Sequence, residues 1–166
     1  MNTKKLKIGW FSFSCCEDST IMFTELLNDH FDEWAKLVEF KHIRVLKSRN
    51  VLEDIDVAFI EGAITSESEE KEVKKIRAVS KRVVTIGSCA TTGLPSGQRN
   101  QFDADTQASI QFLLDRFAQS EKVRSVPEVI QVDDKVPGCP MNEQKFLSLL
   151  NKYLEEFGVC TPKTSH

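Results

Sequence analysis

Five cysteines offer the most chemistry in this chain of 166 residues, and four of them sit in three short turns. The turns are Ser14-Cys15-Cys16-Glu17, Gly87-Ser88-Cys89-Ala90 and Pro137-Gly138-Cys139-Pro140. Four thiolates brought to one place could hold a 4Fe–4S cluster in tetrahedral array. Zinc is a second chemistry for such a set, although the usual C-x-x-C pairs are absent. A redox disulfide between Cys15 and Cys16 is a third and needs a strained ring, and a nucleophilic Cys89 at a strand end is a fourth. The plainest reading is core packing, since free cysteine is among the most buried residue types. No cysteine–histidine dyad is evident: His30 falls in a helical stretch, His42 in an edge strand and His166 at the last position.

For the thiols to meet, the chain must fold so that distant turns converge. Leu6 to Ser14 is a near-continuous apolar run, as a strand buried on both faces requires. Ile55 to Glu61 and Arg82 to Gly87 read the same way, and Val38 to Leu46 alternates as an edge strand does. Glu128 to Val132 is a candidate short strand. Helical spacing of apolar residues runs over Thr20 to Leu37, Ser66 to Ser80, Asp105 to Gln119 and from about Asn142 to Gly158. Asp18 or Ser19 is the expected cap of the first helix, and Ser66 with Glu69 forms a capping-box pattern for the second. Alternating strands and helices predict a doubly wound α/β sheet in three α/β/α layers, comprising a single domain over residues 1–158 and a flexible tail over 159–166. In such sheets sites form outside the carboxyl ends of the strands, which is where Cys15, Cys16, Cys89 and Glu61 fall. Neighbouring side chains of an extended segment point opposite ways, so Cys15 and Cys16 can share a site only if the backbone bends sharply after the first strand. Gly87 and Gly138 permit close backbone approach at the other two turns.

Composition narrows the function classes. Hydrophobic residues are 40% and charged residues 28%, as in a globular domain. A net charge of −3 offers no electrostatic footprint for nucleic acid. No apolar run approaches the roughly 20 residues of a membrane span. Lys7 interrupts the first apolar run, and Ile8 to Phe13 is too short for the core of a signal peptide. The expected location is the cytoplasm, where disulfides are disfavoured and metal binding or packing must account for the cysteines.

Four segments carry a resemblance: Trp10 to Asp18 (WFSFSCCED), Glu61 to Ile64 (EGAI), Gly87 to Gly93 (GSCATTG) and Val136 to Asn142 (VPGCPMN). In this order they resemble the small-subunit family shared by nickel–iron hydrogenases and the 20-kDa-type subunit of respiratory complex I, over almost the whole chain. The resemblance implies a flavodoxin-like fold and one proximal 4Fe–4S cluster held by Cys15, Cys16, Cys89 and Cys139, with Glu61 beside it. It further implies an electron-transfer role in an oxidoreductase. Its partners would be a hydrogenase-type large subunit bearing the nickel–iron centre and a further iron–sulfur or flavin subunit. Cys89 and Cys139 match both branches. The tandem Cys15-Cys16 resembles the complex I branch, which would pass electrons to quinone, and an ungapped match puts Ser19 where hydrogenases carry a second cysteine. Glu61-Gly62-Ala63-Ile64 and Pro140-Met141-Asn142 resemble the hydrogenase branch instead. Three cysteines with Ser19 or water thus stands as an alternative ligand set, and a redox-sensing or assembly module as an alternative role. A bound flavin is disfavoured because SFSCCED lacks a Ser/Thr/Gly-rich run to hold its phosphate.

The remaining residues have quieter expectations. Glu61 could instead cap a helix, and Glu17 and Asp18 are expected at the start of the first helix. Negative charge there would lower the potential of a cluster beside it. Trp10 and Phe11 are expected in the core. Cys160 lies past Gly158 and is left outside the site as a free thiol.

Overall fold

The computed structural model describes residues 4–160. Five parallel strands form one sheet: β1 (Leu6–Ser12), β2 (Val38–Ile43), β3 (Ile55–Glu61), β4 (Ser80–Ile86) and β5 (Asp134–Val136). Their spatial order is β2-β1-β3-β4-β5, the flavodoxin-like doubly wound order. Among the described residues six α-helices accompany them: α1 (Asp18–Asp29), α2 (Phe31–Leu37), α3 (Glu67–Val79), α4 (Gly87–Thr92), α5 (Ala104–Arg116) and α6 (Glu143–Glu156).

The apolar runs read as doubly buried strands are so. All seven residues of β3 are buried, and from Val57 to Ile60 its side chains alternate between two cores. Val57 and Phe59 join the core under α1, α2 and α6, whereas Ala58 and Ile60 join the core under α3. This period-two division is what a central strand must supply. On the first side Trp10 stacks on Phe23 at 4.3 Å between ring centroids, and Phe146 meets both edge-on. Trp10 and Phe11 are therefore core, as their setting in a buried strand implied.

Four expectations need correction. The stretch Thr20 to Leu37 is two helices, because the chain breaks at His30, whose backbone leaves helical geometry. Neither Asp18 nor Ser19 caps α1; the cap position is Glu17, in left-handed conformation at φ 62° with no cap bond from its own side chain. Glu128 to Val132 is not a strand. Pro127 seeds a 3-10 turn over Val126–Glu128, and the fifth strand comes later at Asp134–Val136. Finally, the turn Gly87-Ser88-Cys89-Ala90 is the start of a helix: α4 begins at Gly87, and Cys89 lies in its first turn. Of the tail, Val159 and Cys160 pack against the first core, and residues 161–166 lie outside the described part.

Other local signals hold. Ser66 accepts from the Glu69 amide at 3.3 Å, while the Glu69 carboxylate reaches the Thr65 amide at 2.6 Å, one residue further back than a capping box requires. Asn142 caps α6 by accepting from the Lys145 amide at 2.8 Å. In contrast, α5 stands away from both cores: Leu114 is its one buried residue, and Phe112 and Phe117 beside it are exposed.

Candidate metal centre

The site grows out of the turn after β1. Phe13 and Ser14 leave the strand still bonded to the chain that follows β3: the Phe13 amide donates to Glu61 O, and Ser14 and Ala63 exchange amide–carbonyl bonds at 3.1 and 3.0 Å. A Cβ on Gly62, at φ 91°, would stand 2.7 Å from the Phe13 carbonyl carbon, so only glycine allows these backbones to lie so close. The left-handed turn at Glu17 then throws the chain into α1. This bend meets the requirement set by the tandem cysteines: Cys15 and Cys16 both border one depression.

Cys89 and Cys139 border the same depression, together with Asp18, Ser19, Glu61, Gly87, Ser88, Gly138 and Pro140. The thiols form two pairs. Cys15 packs with buried Cys89 among Ala63 and Val123. Cys16 and Cys139 are exposed, and their sulfurs and an Asp18 carboxylate oxygen lie within 4.8 Å of one another.

The three turns are tied to one another at each junction. Ser88 N donates to Gly138 O at 2.7 Å, joining second and third. Met141 N donates to Ser19 Oγ at 3.2 Å, joining third and first. Ser96 Oγ lies 3.0 Å from Ser14 O and 3.1 Å from Cys89 Sγ, joining first and second. Ser96 was hidden in the sequence inside Pro95 to Asn100, whose composition marks a connecting loop and nothing more.

Glu61 is buried and caps α1 from the end of β3. Its carboxylate accepts from Ser19 N at 3.0 Å and from Thr20 Oγ1 at 2.5 Å, while Thr20 Oγ1 accepts from Trp10 Nε1 at 2.8 Å. Burial raises the Glu61 pKa, against the pull of those hydrogen bonds. The helix-cap reading of Glu61 thus holds, and the same residue also borders the depression.

The electrostatics do not favour Cys15 as an activated nucleophile. Among the described residues, no lysine, arginine or histidine borders the depression. The Cys15 thiol is pushed up to about 12, first by burial and then by the Glu61 charge. A nucleophilic cysteine needs the opposite, a nearby cation or base that favours thiolate. A disulfide is not formed either: Cys15 and Cys16 are both free. What remains is a donor set of four thiols with glycine backbones at two of its turns. Gly87 and Gly138 both have positive φ, and a Cβ on Gly87 would reach within 3.0 Å of Ser19 Oγ. Such a set fits a metal that deprotonates its ligands on binding, and it fits a four-thiolate iron–sulfur cluster. Ser19 is buried, and its hydroxyl oxygen accepts from the Met141 amide.

Residues 15–153 match the family model described as NADH ubiquinone oxidoreductase, 20 Kd subunit. The chain belongs to this family. Among curated relatives, one of the subunits of the F420-non-reducing hydrogenase of Methanothermobacter marburgensis is 29% identical over 98% of this chain and 58% of its own length. The NAD-reducing hydrogenase HoxS subunit delta of Cupriavidus necator is 20% identical, over 89% of this chain and 78% of its own length. This chain spans only about half the length of the methanogen hydrogenase subunits it matches, from 49% to 58%. In fold it matches a chain of the H2-reduced NAD+-reducing [NiFe]-hydrogenase with a TM-score of 0.79 at 21% identity, covering 98% of both chains. A chain of the actinobacterial-type NiFe-hydrogenase from Ralstonia eutropha H16 matches with a TM-score of 0.65 at 15% identity, over 99% of this chain and 57% of that one. The solved structures confirm the flavodoxin-like α/β architecture, and the family model places the chain in the 20-kDa-subunit family. Among the described residues no helix is long and apolar enough to cross a membrane.

Proposed function

We propose that this chain is the electron-transferring small subunit of a multi-subunit [NiFe]-hydrogenase. It would hold one 4Fe–4S cluster through Cys15, Cys16, Cys89 and Cys139, between a large subunit's nickel–iron centre and a downstream iron–sulfur or flavin subunit. The observation that carries this reading is the convergence of four thiols, from three turns, on one depression without a cation. The names of the relatives, hydrogenase subunits from methanogens and from Cupriavidus necator, supply the class of complex. Four free thiols at one site call for a reducing compartment, and the cytoplasm is the place of work that this reading assigns.

A cluster of this kind takes up and releases one electron at a time. The chain's part is to bind, orient and shield it. Cys15 and Cys89 would hold the shielded side, among Ala63 and Val123. Cys16 and Cys139 would hold the open side, where a large subunit can close over them. Ser19 and Ser88 fix the turns, and Glu61 anchors the start of α1 so that the tandem cysteines keep their bend. The exposed Phe112 and Phe117 of α5 give the chain apolar surface of the kind that a further subunit covers.

Anaerobic purification of the tagged chain from a host that assembles hydrogenases tests the proposal, with metal analysis and low-temperature EPR. About four irons per chain, a reduced-cluster signal and a co-purifying nickel-bearing subunit are expected. Zinc in place of iron, or no metal at all, overturns the cluster. The tandem Cys15-Cys16, both bordering the depression, favours a second reading as a complex I-type subunit passing electrons towards quinone. A co-purifying partner without nickel, accompanied by membrane subunits, would select it. A chain that keeps its cluster as a lone monomer would select the redox-sensing or assembly role.

A further inference from the structure

We infer that Ser96 is a positioning residue that sets the reduction potential of the iron–sulfur site through a hydrogen bond to the sulfur of Cys89. The inference rests on the cluster reading above and assigns a role to a residue outside every ligand motif.

Ser96 follows Pro95 in the segment between α4 and the 3-10 turn at Gln98–Gln101. The segment is closed back on α4: Gly97 N donates to Gly93 O at 2.7 Å, and a Cβ on Gly97 would meet that same oxygen at 2.7 Å. The chain is thereby held so that the half-buried Ser96 hydroxyl faces inward, 3.1 Å from Cys89 Sγ and 3.0 Å from Ser14 O. Cys89 itself is 7% exposed, so water has little access to compete for that sulfur.

A serine hydroxyl has one hydrogen and therefore one bond to donate at a time. Its two acceptors here differ in kind. Ser14 O is a carbonyl that keeps its charge, whereas a ligating cysteine sulfur becomes more negative when an electron arrives. Hydrogen bonds to ionised acceptors are about twice as strong as neutral ones. The hydroxyl therefore gains most from Cys89 Sγ in the reduced state and favours that state, which raises the potential. It opposes Asp18 and Glu61, whose negative charge would lower it. No proton is transferred; Ser96 keeps its hydrogen, and only the direction of the bond changes.

The test compares the full chain, anaerobically reconstituted, with Ser96→Ala and Ser96→Thr. Iron content and EPR report the cluster, and a mediated dithionite titration followed by EPR reports the midpoint. Ser96→Ala with full iron and a reduction equilibrium displaced about tenfold towards the oxidised form, a lowering of about 59 mV for one electron, is expected. Ser96→Thr, which retains the hydroxyl, is expected to restore the wild-type value. Full iron in Ser96→Ala with an unchanged or higher potential overturns the inference and leaves the cluster reading intact. Failure of the wild-type chain to take up iron overturns both. Should Ser96→Ala lose its iron, Ser96→Thr decides alone: a wild-type midpoint supports the hydroxyl's role, and a displaced one overturns it.

Discussion

The two halves of the thiol set are built by opposite means. Cys15 and Cys89 lie on the side of the depression that the fold itself encloses, against Ala63 and Val123. Their positions follow from the bond pair between Ser14 and Ala63 and from the first turn of α4. Cys16 and Cys139 lie in the open, with the Asp18 carboxylate as their polar neighbour. The inner pair is covered by the fold's own packing, and the outer pair sits exposed on turns that hydrogen bonds tie together. Under the proposed function, a cluster in such a site would be held firmly from one side and left for a partner to enclose from the other.

Exchange of single cysteines gives the largest contrast. Cys89→Ser should abolish iron binding, since a serine oxygen is a poorer donor to iron than a thiolate and water has little access to that buried position. Cys139→Ser should retain a partial, labile iron content, because water and Asp18 both reach that side. Iron analysis and EPR of anaerobically prepared variants would show it, and equal losses from both would erase the distinction between the pairs. Alkylation of the metal-free chain gives the next largest. At pH 8 Cys15, with its thiol pushed up to about 12, should label roughly a hundredfold or more slowly than an ordinary exposed thiol, because only the thiolate reacts. Raising the pH from 7 to 9 increases every thiolate fraction but still leaves Cys15 protonated. Peptide mass spectrometry that found Cys15 labelled as fast as Cys16 would break the comparison.

Backbone substitutions sharpen it further. Gly62→Ala should cost about 1–3 kcal/mol of stability in urea unfolding, since it forces a side chain into left-handed geometry and onto the Phe13 backbone. Gly138→Ala meets the same conformational penalty at φ 122°. A Cβ there would also stand 2.4 Å from Pro140 O, so beyond the loss of stability the substitution should misplace Cys139, read as weaker iron retention than Gly62→Ala shows. The smallest effect belongs to Asp18→Asn. Two unit charges 4 Å apart in water interact by about 1 kcal/mol, and the carboxylate and the added electron repel, so removing this exposed carboxylate should raise the midpoint potential by less than a tenfold change in the reduction equilibrium. An EPR-monitored titration measures it, and a lowered potential would show that Asp18 does not act by its charge.

Much of this architecture was legible in the residues. Long apolar runs such as LKIGWFS and IDVAFIE can be stable in water only when covered on both faces, and they are. The turns after β1 and β4 declared themselves because chemistry-bearing residues follow such runs directly. The division into inner and outer thiols was not legible. It depends on the left-handed turn at Glu17, and nothing in a glutamate announces φ 62°. The fifth strand was missed because Asp134–Val136 is three residues long with two charges, while the more strand-like VPEVIQV carries a proline at its second position that favours a 3-10 turn. The break at His30 was invisible because apolar spacing continues through it into Phe31 and Trp34. Ser96 was silent for a different reason: its partners are 7 and 82 residues away, and no local pattern records them.

The bond chain from Trp10 through Thr20 to Glu61 has a practical consequence. The protein has two tryptophans, and one of them keeps its indole hydrogen in a bonded series that ends on a carboxylate at the rim of the depression. Movement of that carboxylate must pass through Thr20 to the ring. The emission of Trp10, separated from that of Trp34 by a Trp34→Phe background, is thus a built-in optical gauge. It reads the start of α1 without any label attached to the centre itself.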